Sequence, residues 1–286
     1  MARWPAVFSD RKDWMMDLAA EYNNRALVPD HPAHIARWAL EARAYREKAE
    51  AELDHAYGAR PRNRVDVFHG KARSSAGPVV LFIHGGYWRS LDKSYFSHVA
   101  GPANAQGLDV AVAGYTLCPE VTISDIIAEL RQCCLYLSER YGRRIVVTGH
   151  SAGGHLAACM AATDWALLGA RPDLIQAGLS ISGLFDLRPL MATPMNDDLR
   201  LSAVEAMTAS PLFWPVPLPV PFDSWVGGKE SFEFLRQARS LPAAWQGLGM
   251  ESAYVVAEGE DHFTIGDLLS RPSHPMTQRL MELSGR

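Results

Sequence analysis

The sequence predicts an α/β protein, with a mostly parallel central sheet flanked on both faces by helices. Two observations carry this. Short apolar β-type runs alternate with helical stretches from about residue 64 onward, as strands buried on both faces and joined by crossover helices do. One run, Arg144-Ile145-Val146-Val147-Thr148, leads directly into Gly149-His150-Ser151-Ala152-Gly153-Gly154, a Gly-x-Ser-x-Gly turn of the kind that joins a strand to a helix through a sharp bend.

In chain order, residues 9–57 are rich in Ala, Glu, Arg and Trp and read as helical, broken in two at Asp30-His31-Pro32, with Ser9 and Asp10 as caps of the first piece. Strands are expected at residues 64–68, 79–84, 109–115, 144–148, 177–182, 224–227 and 253–257, and helices at 124–141, 154–168, 231–248 and 275–283. Residues 187–222 break the alternation and end in the proline-rich run from Pro211 to Pro221. They read as a stiff cap or lid insertion whose Phe213, Trp214 and Phe222 offer aromatic surface. No linker or repeat divides the chain, so residues 1–286 are expected to form one domain, with 1–57 as a helical extension.

A hydrophobic content of 48% supplies a substantial core, and a net charge of -4 with interspersed signs argues against a nucleic-acid partner. No apolar stretch reaches the length of a membrane span, and the N-terminus lacks the pattern of a signal peptide. Cys118, Cys133, Cys134 and Cys159 lack metal-type spacing and read as buried thiols. The expectation is a cytoplasmic protein with no metal or cofactor and no membrane partner; a homo-oligomer is compatible with the sequence.

A serine hydroxyl is a poor nucleophile at neutral pH, so Ser151 needs a base to take its proton and donors to hold a developing oxyanion. Donors are expected from His84-Gly85-Gly86-Tyr87-Trp88, a glycine turn at the end of the strand Val80-Leu81-Phe82-Ile83, as in hydrolases of the lipase and esterase kind. Gly85, Gly86 and Tyr87 supply backbone amides there, joined by that of Ala152. The base expected beyond the last strand is His262, in Glu258-Gly259-Glu260-Asp261-His262-Phe263; His84 and His150 read as supports of local backbone geometry. The acid that orients the base is placed at Glu230, just past a strand end, with Asp186 as the competitor whose alternative role is to cap the next turn.

Together, the His84-to-Trp88 turn, Gly149-His150-Ser151-Ala152-Gly153-Gly154-His155, Asp261-His262-Phe263 and the segment Val226-Gly227-Gly228-Lys229-Glu230-Ser231-Phe232 resemble the kynurenine formamidase (arylformamidase) branch of the α/β-hydrolase superfamily. The resemblance implies an α/β-hydrolase fold and hydrolysis of a small acyl group on an aromatic amide or ester. It also implies a triad of Ser151, Glu230 and His262, an oxyanion hole from the glycine turn and Ala152, and no metal. Tyr87, Trp88 and Trp214 are expected to pack on an aryl ring. Members of that branch commonly carry aspartate where this chain has Glu230, and the proline-rich cap is unlike theirs. General carboxylesterase activity, or ligand binding on a hydrolase scaffold, are the alternative expectations.

Overall fold

The computed structural model describes residues 16–71 and 77–286, so the expected caps Ser9 and Asp10 lie outside the described residues. Its strands are β1 (Ala51–Ala56), β2 (Arg64–Phe68), β3 (Val79–Ile83), β4 (Val110–Ala113), β5 (Ile145–His150), β6 (Ile175–Ile181), β7 (Phe222–Gly227) and β8 (Tyr254–Ala257). They form one sheet in the order β1-β2-β4-β3-β5-β6-β7-β8. The β1/β2 and β2/β4 pairs are antiparallel, and every pair from β4 through β3 to β8 is parallel.

The helices begin with α1 (Leu18–Glu21), α2 (Asn24–Leu27), α3 (His31–Arg46), α4 (Gly101–Ala105), α5 (Ile123–Tyr141) and α6 (Ala152–Ala161). They continue with α7 (Asn196–Leu199), α8 (Ala203–Thr208), α9 (Phe232–Gln246), α10 (Thr264–Asp267) and α11 (Pro275–Leu283). Among the described residues no helix is long and apolar enough to cross a membrane.

The sheet is covered on both sides, and its strands β3 and β4 are apolar at every position. On β3, Val79, Leu81 and Ile83 pack with Ile126 and Leu130 of α5 and Leu156 of α6. Val80 and Phe82 turn to the opposite side, against Phe96, Leu280 and Met281. Helix α5, which supports the strand before the Gly-x-Ser-x-Gly turn, starts on a capping box. Thr122 Oγ1 accepts from the Asp125 amide at 3.1 Å, and the Asp125 carboxylate accepts from the Thr122 amide at 2.9 Å.

Two expectations are corrected and one stands. The N-terminal segment is not helical to Tyr57: Ala51–Ala56 is an edge strand paired with β2, despite its Ala, Glu and Leu, because strand pairing outweighs weak intrinsic propensity. The break expected at Asp30-His31-Pro32 stands: α2 ends at Leu27, and α3 begins at His31 with proline in its first turn. Phe222 is not surface aromatic; it opens β7, is buried, and meets Trp245 at a centroid distance of 5.0 Å.

Candidate active site

The parallel strands deliver the site. Strand β5 stops at His150, and α6 starts at Ala152, leaving Ser151 between them with φ 58° and ψ -120°, a conformation that costs a non-glycine residue energy and is held by its surroundings. The Ser151 amide donates to the Ile181 carbonyl at 2.8 Å, and its carbonyl accepts the first helical bond from His155 at 3.1 Å. So tight a turn needs Gly153: a Cβ there would lie 1.9 Å from the Ile83 carbonyl oxygen, which forces any side chain out.

The glycine turn after β3 lies against this bend. A Cβ on Gly85 would meet the His150 carbonyl at 2.8 Å and the Ser151 Cβ at 3.0 Å. Gly86, Tyr87 and Trp88 all have positive φ, 109°, 49° and 56°, so the chain doubles back beside the serine. Gly86 and Tyr87 line a cavity of about 320 Å³ together with Ser151, His150 and His262; Gly85 packs behind them, and Ala152 is the buried first residue of α6. The first amides of a helix lack intrahelical partners, so the Ala152 amide suits the role expected of it.

Glu230 and His262 come together from the ends of β7 and β8. The buried Glu230 carboxylate accepts from His262 Nδ1 at 2.6 Å through Oε2, and from Ser182 Oγ at 2.5 Å and the Gly227 amide at 2.8 Å through Oε1. Because an ionised carboxylate only accepts, the His262 proton sits on Nδ1, which leaves Nε2 as a base. Asp186 is engaged elsewhere: it pairs with the Arg188 guanidinium at 2.8 and 2.9 Å and accepts from the Arg188 amide at 3.2 Å, the capping role set against it from sequence.

The pocket expectations for the two tryptophans are overturned. Trp88 is fully buried, its positive φ turning the ring away from the cavity so that Nε1 donates to His155 Nδ1 at 3.2 Å. Trp214 bonds the Thr208 carbonyl at 2.8 Å, with Arg131 5.5 Å above its ring, and does not line the cavity. The cavity wall instead comes from residues with no chemical motif: Tyr22 and Asn24 near α1 and α2, Trp38 of α3, and the turn from Thr193 to Met195 before α7. Tyr22 is tied in on both sides. Its carbonyl accepts from Tyr87 OH at 2.7 Å, while its hydroxyl donates to Glu233 at 2.5 Å and accepts from Gln237 at 3.1 Å. Ser182 was likewise missed; its one sequence signal is a hydroxyl at the end of the fifth expected strand run.

Three buried imidazoles frame the site. His84 stacks between Tyr115 and Phe96, His150 holds the His262 carbonyl at 2.8 Å, and His155 reaches the Ala209 carbonyl at 2.7 Å. Burial depresses their pKa values, to about 4 for His84, about 3 for His150, where nearby His262 adds to the effect, and about 4 for His155. Each is neutral when folded but gains a proton near pH 6.5 when unfolded. Their stabilising contribution is therefore whole above that pH and is lost progressively as pH falls toward 4. Together they are expected to remove about 4 kcal/mol of stability between pH 7 and 5.5. Urea denaturation across that range checks this; a flat profile contradicts it.

A family model described as BD-FAE matches residues 65–171. The crystal structure of a putative thioesterase from Silicibacter sp. TM1040 superposes with a TM-score of 0.84 at 34% identity, covering 93% of this chain and all of that one. Fold and site define a hydrolase of the α/β-hydrolase class. The kynurenine formamidase of Danio rerio is 27% identical over 89% of each chain, and that of Salmo salar 25% identical over the full length of both. The chain belongs to the α/β-hydrolase superfamily, and its likeness to the kynurenine formamidases runs over most of its length.

Proposed function

We propose that the protein cleaves a small acyl group from an aromatic amide or ester through a covalent acyl-enzyme, and that its reaction is that of an arylformamidase, converting N-formylkynurenine to kynurenine and formate. Ser151 Oγ attacks the acyl carbon as His262 Nε2 takes its proton. Glu230 holds the imidazole and stabilises its charged form. The oxyanion is received by amides of the Gly85-Gly86-Tyr87 turn and Ala152. His262 returns the proton to the leaving amine, and water activated by the same ring releases formate. The observation that carries this reading is the buried Glu230–His262 pair at 2.6 Å, with His262 lining the same cavity as the strained Ser151.

A second reading, an esterase of small aryl or acyl-thio substrates, is favoured by the likeness to a structure described as a putative thioesterase. The same groups serve either leaving atom. A panel of N-formylkynurenine, formanilide, p-nitrophenyl acetate and an acetyl thioester separates them: kcat/KM highest for N-formylkynurenine supports the formamidase, and formamide turnover far below the ester rate supports the esterase.

A further inference from the structure

His150 ends β5 directly before the nucleophile, and its Nε2 holds the His262 carbonyl at 2.8 Å. A carbonyl oxygen only accepts, so the His150 proton sits on Nε2 and Nδ1 keeps a bare lone pair. No side chain or amide among the described residues donates to that nitrogen. The ring is fixed in place: Trp38 meets it edge-on at a centroid distance of 6.2 Å, and the His262 ring lies 4.8 Å away. A Cβ on Gly85 would stand 3.4 Å from Nδ1, which puts the unused acceptor beside the turn that receives the oxyanion. His150 lines the same cavity as Ser151 and His262. Burial, with His262 nearby, depresses its pKa to about 3, so the ring stays neutral and the lone pair stays available where His262 acts as a base.

An anilide and its matching ester differ at the leaving atom: the nitrogen carries a hydrogen and the oxygen does not. When the tetrahedral intermediate collapses, the carbon–nitrogen bond breaks as His262 Nε2 protonates the nitrogen lone pair. The N–H that the amide brought with it then points elsewhere, and it needs an acceptor of its own. We propose that His150 Nδ1 accepts this N–H and so sets a preference for an anilide over the ester of the same acyl and aryl groups. The inference rests on the acyl-hydrolase reading above and deepens it by naming the group that tells nitrogen from oxygen at the leaving atom. An ester oxygen meets the same nitrogen lone pair against lone pair. A site that hydrogen-bonds a substrate N–H disfavours the analogue lacking it.

The test uses the full-length protein and two matched pairs, formanilide with phenyl formate and p-nitroacetanilide with p-nitrophenyl acetate. The anilide-to-ester ratio of kcat/KM within one preparation reports acylation and cancels any difference in folded fraction. His150→Gln keeps an NH₂ in reach of the His262 carbonyl but has no acceptor at the Nδ1 position, and the ratio is expected to fall about tenfold. His150→Asn places a carbonyl oxygen near the Nδ1 position, so the ratio is expected to stay within about threefold of wild type although both rates drop. A ratio unchanged in His150→Gln, or falling equally in both variants, overturns the role of His150 while leaving acyl hydrolysis standing. Wild-type cleavage of the esters with no cleavage of either anilide also overturns it. Turnover of p-nitroacetanilide without formanilide counts against the formamidase, and the acetyl pair still decides the role of His150.

Discussion

Ser151→Ala is expected to lower kcat by about 10⁴-fold or more and to abolish covalent labelling by a fluorophosphonate, because the residual rate then comes from binding and the oxyanion donors alone. The change removes one oxygen from a buried side chain without altering the backbone contacts that hold the turn, so the urea midpoint is expected to shift little. Loss of activity at unchanged stability therefore identifies chemistry rather than folding. Labelling that persists, located by mass spectrometry on a different serine, removes Ser151 from the mechanism.

Glu230→Gln is expected to cost about 10³- to 10⁴-fold in kcat, with KM changing much less. The isosteric amide keeps the shape, but its NH₂ turned toward His262 favours the wrong tautomer, and its carbonyl cannot stabilise the imidazolium as a carboxylate does. Glu230→Asp tests the longer side chain against the aspartate that the family resemblance leads one to expect. In this fold the extra methylene lets one carboxylate reach His262 with Oε2 and Ser182 and the Gly227 amide with Oε1. A shortened side chain loses one of these sets, so about a tenfold to hundredfold loss is expected. Ser182→Ala removes only the hydroxyl that fixes the carboxylate, and about a tenfold fall in kcat is expected, in proportion to one charge-assisted hydrogen bond. If Glu230→Gln keeps most of the wild-type kcat, another group orients the base.

Most strands were legible because apolar runs bounded by glycine and polar turns leave little choice when both faces of a sheet are covered. Residues 64–68 and the final helix, residues 275–283, match their expected limits; the others differ by one or two residues at their ends, except the helix expected over 154–168, which ends at Ala161. The edge strand β1 was not legible. Its burial alternates only weakly, and its residues favour helix, so only the register with β2 fixes it. Trp88 illustrates the limit at the site: the sequence puts it one residue past the glycine turn, but whether its ring faces substrate or core depends on φ 56°, which sequence pattern does not specify.

The sequence by itself determined the order of strands and helices, the bend at Ser151, and which residues end at the same edge of the sheet. Each of these follows from local chemistry: periodic hydrophobicity, glycines where no side chain fits, and titratable groups just past strand ends. Only the tertiary structure decided that Ser182 secures Glu230, that Asp186 is occupied by Arg188, and that the N-terminal helices and the Thr193–Met195 turn form the cavity wall. Those contacts join residues far apart in the chain, and no local spacing encodes which face a side chain presents once distant elements pack. The reacting end of the site is thus written in motifs, and the end that meets the rest of the substrate is made by packing.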